Sequence, residues 1–150
     1  MIACFSVVGD SNEPLFLKPY LDDTDEVDPL KFHSIVHSSL DNVEELKVQR
    51  SSTGTNKLQN AEMYLGHLCP IEEYRVFGYM TNTNIKFFAV LEDNAPVREN
   101  DLRNLFQSVH QLYVNYLRNP FAPLRKPLTS DRMKLDIDRQ VNSYNSDVLP

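Results

Sequence analysis

Apolar residues in this chain follow strand-like spacing, then helical, then strand-like, then helical again. That order restricts the fold more than any single motif. Residues 2 to 8 (IACFSVV) read as a strand buried on both faces apart from Ser6. Asp10-Ser11-Asn12 supplies turn chemistry, and 14 to 20 resumes as a second strand whose Pro14 and Pro19 suit strand ends or a sheet edge. A helix follows, with Asp28 as its cap and Pro29 at the first helical position. Phe32, Ile35, Val36, Ser39, Val43 and Leu46 form its inner stripe. Residues 49 to 57 (QRSSTGTNK) read as a polar loop.

Three strands are expected next, at 63 to 69, 74 to 81 and 85 to 91, the last two joined by the hairpin link Asn82-Thr83-Asn84. The clearest helix carries Leu102, Leu105, Phe106, Val109, Leu112, Tyr113, Tyr116 and Leu117 on one side and ends at Asn119-Pro120. A weaker one starts near Thr129 or Ser130 and turns Met133, Ile137 and Val141 inward, leaving 142 to 150 as a frayed tail. The order ββαβββαα predicts a single α+β domain over 1–150: a five-stranded antiparallel sheet with helices packed on its faces.

The formal net charge of −6 argues against a phosphate-binding surface, so no nucleic acid is expected as partner. Cys4 and Cys69 are too few for a disulfide framework or a zinc site, and both read as buried free thiols of a reducing cytosol. The apolar start is too short for a signal core, and no window reaches the length of a membrane span. Gly9, Gly54, Gly66 and Gly78 stand too far apart for a phosphate loop. His33 and His37 have the i, i+4 spacing of some zinc sites, but Ser34 occupies the place of the metalloprotease glutamate. The expectation is no catalytic residue, no metal, no cofactor and no small-molecule substrate.

Surfaces remain. On a wheel of 100° per residue, the outer side of the first helix carries Ser34, His37, Ser38, Asp41 and Glu45. Small side chains allow close approach by another protein, and a carboxylate can orient it by a charge-assisted hydrogen bond. A second candidate surface is basic: Arg125, Lys126, Arg132, Lys134 and Arg139, in a segment (118 to 139) holding six bases against three acids.

Several segments together resemble the sedlin-like subunits of the TRAPP complex. They are KFHSIVHSSLDNVEE (31 to 45), YLGHLCPIEEYRVFGYMTNTNIKF (64 to 87), the opening with Cys4, Val8 and Pro14-Leu15-Phe16, and Asn119-Pro120-Phe121. YLG and VFGY look closer to the subunit-2-like branch than to sedlin itself. The linker after Gln49 is longer than the pattern, and Met133 stands where an aromatic residue is common.

The resemblance implies the longin or SNARE-like fold, with one helix on one sheet face and two on the other. It implies a non-catalytic adaptor in a multisubunit tethering assembly that activates a Rab-family GTPase in endoplasmic reticulum–Golgi and intra-Golgi transport. The expected partners are other small subunits and one large subunit. The expected location is the cytoplasm, peripherally at Golgi and endoplasmic reticulum membranes. The family's aspartate in H-x-S-L-D falls on Asp41. The alternatives are a longin-type regulatory domain of another trafficking protein (a SNARE or small adaptor chain), or sedlin itself.

Overall fold

The computed structural model describes residues 2–9, 12–20, 29–52, 64–71, 73–81, 84–92, 99–118 and 131–148. In chain order the elements are β1 (Ile2–Val8), β2 (Pro14–Pro19), α1 (Pro29–Ser52), β3 (Tyr64–Ile71), β4 (Tyr74–Met80), β5 (Lys86–Glu92), α2 (Glu99–Leu117) and α3 (Asp131–Val148). One sheet holds all five strands in the order β2-β1-β5-β4-β3, with every neighbouring pair antiparallel.

This order dictates the course of α1. The chain leaves the sheet at one edge, β2, and re-enters at the opposite edge, β3. At 1.5 Å per residue the 24-residue helix spans about 36 Å. Five strands at their usual spacing are about 19 Å wide, so one helix suffices to cross the whole face. Side chains of alternating parity then build two separate cores. Ala3, Cys4, Val8, Val76, Phe88 and Val90 meet Phe32, Ile35, Val36, Leu40 and Val43 of α1. Phe5, Val7, Phe77, Tyr79, Phe87, Ala89 and Leu91 meet α2 and α3 on the other side. The fold is therefore α+β, with one helix on one face and two on the other.

Every residue of β1 is buried, as a strand covered on both faces must be. A register shift between Ile2 and Cys4 is the bulge that puts Ala3 and Cys4 into the same core. Ser6 is no exception to the burial, contrary to the sequence expectation. Its hydroxyl donates to the carbonyl of Phe16 at 3.1 Å, which satisfies the polar group in the interior.

Two asparagines close the hairpins from the left-handed backbone region, which their short polar side chains tolerate. Asn12 (φ 64°) lies in the β1–β2 turn, where its amide donates to the Gly9 carbonyl. Asn84 (φ 64°) donates likewise to the Thr81 carbonyl between β4 and β5. The two turns are joined by Lys86, only 1% exposed, whose ammonium donates to Asn12 Oδ1 at 2.7 Å. β3 runs past the predicted stop at Pro70, because at a sheet edge a residue without an amide donor costs no ladder bond.

α2 buries Leu102, Leu105, Phe106, Val109 and Tyr113 as its spacing predicts, and Glu99 and Asp101 in its first turn oppose the positive helix end. Leu117 shares that stripe but is exposed, lying a turn beyond Tyr113, the last buried residue of α2. The Tyr79 ring stacks on Phe106 with centroids 5.6 Å apart. The Tyr79 hydroxyl lies 3.1 Å from His110 Nδ1.

The frayed tail expected from 142 onward is overturned: α3 continues helical to Val148. Tyr144 and Asn145 are buried, and Asn145 Oδ1 accepts the main-chain amide of Ile2 at 2.7 Å. Tyr144 carries the Met133, Ile137 and Val141 stripe one step further, and the polar Asn145 beside it adds a bond that no apolar repeat announces. α1 likewise continues to Ser52, into the stretch read as a loop from Gln49. The remainder of that loop, the Asp28 cap and the link residues 82–83 lie outside the described residues.

Three outcomes test this arrangement. Val43, wholly buried between α1 and the sheet, tolerates no charge. Val43→Asp costs several kcal/mol, comparable with the stability of a whole domain, and circular dichroism will report an unfolded chain. Asn145→Leu leaves the Ile2 amide without its acceptor and lowers stability by about 1–3 kcal/mol, measured as the shift in urea midpoint. Burial holds the His110 imidazole below its usual 6.5. Below pH 6.5 this histidine is therefore more protonated in the unfolded chain than in the folded one, and its contribution to stability falls as pH drops through that region. Urea midpoints of His110→Gln will show a flatter acid limb than those of the parent.

Candidate interaction surface

Packing decides which side of α1 is free. Phe32 meets Tyr74 edge-on with centroids 5.7 Å apart, and the Lys31 ammonium lies 5.3 Å from the same ring's centroid. Ser39, fully buried on the inner stripe, donates to the Ile35 carbonyl at 2.8 Å within its own helix. With that side anchored, His33, Ser34, His37, Ser38, Asp41, Glu44 and Glu45 are all exposed. Ser34, Ser38, Asp41 and Glu45 fall within an arc of about 60°, and His37 lies about 60° to one side of Ser34. All five predicted residues of this face thus stand outward, while Leu46, expected inward, is half-buried near the end of the packed stripe.

Sequence reasoning missed Leu30. It is 70% exposed and lies one turn ahead of Ser34 on the outward arc, about 40° from it. A large aliphatic residue ahead of a run of small polar ones was the available signal. The face is apolar at its amino end, small and polar in the middle, and acidic toward Glu45. Such a surface can bury an apolar side chain and bind a cation at separate points.

A groove of about 400 Å³ opens beside this face, between α1 and the β1–β2 hairpin. Val8, Pro14, Leu17, Val36 and Leu40 supply its apolar lining, and Asn12, His33, Ser34 and His37 are the polar groups at its margin.

Among the described residues, the three bases of the second candidate surface do not share one side of α3. Arg132 and Arg139 are exposed and about 20° apart around α3, whereas Lys134 is half-buried and some 160° from Arg132. Arg139 lies 3.8 Å from Asp136, and Asp138 accepts from Lys18 Nζ and the Tyr20 hydroxyl, each at 2.7 Å. Carboxylates interleave with the bases. Burial, followed by that bond to Asp138, pushes the Tyr20 phenol well up, so it stays a donor. Arg125 and Lys126 lie outside the described residues.

Cys4 is buried and its thiol is pushed up to about 12 by that burial, which keeps it neutral at physiological pH. Among the described residues no group of three or more His, Cys, Asp or Glu is placed to hold a metal ion, and no helix is long and apolar enough to cross a membrane.

A five-stranded antiparallel sheet between one helix and two defines a longin-like domain, whose single-helix side presents a polar arc. The family model described as Sedlin matches residues 7–143, and the chain belongs to that family. It is 36% identical over 142 residues to a trafficking protein particle complex subunit 2-like protein of Dictyostelium discoideum, covering 95% of this chain and 97% of that one. It is 38% identical over 122 residues to the protein of the same name from Rattus norvegicus, covering 81% and 83%. Similarity extends, at 25% identity, to trafficking protein particle complex subunit 20 of Saccharomyces cerevisiae, covering 84% of this chain and 88% of that one.

Proposed function

We propose that this chain is a non-catalytic adaptor subunit of a TRAPP-type tethering assembly, of the subunit-2-like branch. It joins other small subunits to a large one and acts on a Rab-family GTPase only through the assembly. The work is done in the cytoplasm, at the surface of Golgi and endoplasmic reticulum membranes. The names carried by relatives at 36–38% identity support the assembly and the branch. The observation that carries the adaptor role is the outward arc of α1. Ser34, Ser38, Asp41 and Glu45 stand exposed in line while the opposite side is fixed to the sheet.

In this reading Ser34 and Ser38 allow a partner's backbone or side chain to come close. His37 flanks the contact, and Asp41, with Glu45 one turn on, accepts from a partner cation. A hydrogen bond to a charged group is worth about 1.5–3 kcal/mol. Reversing the charge removes that and adds repulsion.

Asp41→Arg in cells lowers recovery of the other subunits with the affinity-tagged chain by about tenfold or more, quantified by mass spectrometry. Its thermal midpoint stays near that of the parent, as for other exposed substitutions. Recovery equal to the parent's overturns the adaptor face.

A further inference from the structure

We infer that the groove between α1 and the β1–β2 hairpin is the anchor pocket of the adaptor face. Its occupant is a polypeptide segment of the partner that inserts an aliphatic or aromatic side chain there and sets a lysine or arginine against Asp41. The inference rests on the proposed adaptor role and names what that face recognises.

Continuity comes first. Ser34 and His37 belong both to the groove's margin and to the outward face, so whatever lies along the face also passes the groove. From Leu30 to Glu45 the exposed arc is about 22 Å long. An occupant of that reach is a chain rather than a compact ligand.

Composition of the groove sets the inserted group. Val8 and Leu40 are buried, Leu17 is half-buried on β2, and Val36 closes the helix side. An apolar side chain placed there removes its own surface and theirs from water. Pockets of this size take such anchors, and anchors of this kind dominate interface energies.

Charge sets the flank. One turn beyond His37 the helix exposes Asp41, and a second turn on it exposes Glu44 and Glu45. The Lys86 ammonium, which meets the groove lining through Asn12, is buried and bonded to it. The outer end is therefore acidic, on a chain of net charge −6. A basic residue next to the apolar anchor is complementary, whereas the anionic headgroups around an inserted acyl chain are repelled.

The test uses the full chain inside its native complex. The photo-crosslinking residue p-benzoylphenylalanine replaces His33 at the groove margin in one preparation and Glu44, beside Asp41, in another, the complexes are irradiated, and the attached mass is sequenced. The expected product at both positions is the same partner segment, with an aliphatic or aromatic residue within a few positions of a lysine or arginine. Attachment at position 33 to a lipid acyl chain, to an acidic segment, or to nothing overturns the proposal.

Pro14→Glu and Leu17→Glu carry a charge into the groove from strand β2, away from α1. Both lower the fraction of chain sedimenting with the assembly by about tenfold. Pro14 is exposed, so its variant keeps the parent's melting curve even if Leu17→Glu does not. Loss with Asp41→Arg but none with Pro14→Glu rejects the groove and leaves the adaptor face standing. Retention of both variants rejects the adaptor face itself.

Discussion

The two-sided burial of the central strands is the constraint on which the rest of this structure depends. β1 and β5 lie inside the sheet, with β1 buried at every position and β5 at all but its last. Neither face can meet water. One face is covered by α2 and α3, which leaves the other to a single helix running from edge to edge. α1 is packed on the sheet along an apolar stripe, so its opposite arc faces outward. A recognition surface on such an element presents its side chains in fixed positions, which reduces the ordering cost of binding.

Polar bonds at the edges hold the layers in register. Asn145 on α3 caps the Ile2 amide, Asp138 on α3 gathers Lys18 and Tyr20 at the end of β2, and Lys86 ties two hairpin turns through Asn12. The Lys18–Asp138 pair is partly exposed and contributes little alone. The Asn145 bond is buried and costly to break, whereas the Lys86 bond ends on an exposed Asn12. The Asn145 bond makes the amino terminus and the last helix interdependent, although its partners lie 143 positions apart in the chain.

Legibility differed between elements for physical reasons. α2 was readable because its apolar residues repeat over five turns on one side, and all but the last turn is buried as expected. The inner stripe of α1 was readable down to Val43, and with it the five outward residues, since the wheel relates the two sides by geometry alone. Edge features were not readable. Pro70 looked like a strand stop because the sequence does not say which strand is an edge. Ser6 looked like a break in burial because its acceptor, the Phe16 carbonyl, sits on another strand.

Local spacing determined the ββαβββαα order, the stripes and the polar arc with Asp41. These follow from side-chain periodicity, a property each segment carries without the others. Tertiary structure alone decided that α3 reaches Val148, that Lys86 lies buried, that the bases of α3 are dispersed among carboxylates, and that a groove opens beside the arc. Each of these depends on the distance between groups far apart in the chain, set by the order of strands in the sheet and the angle at which helices lie on it. No window of sequence contains that information.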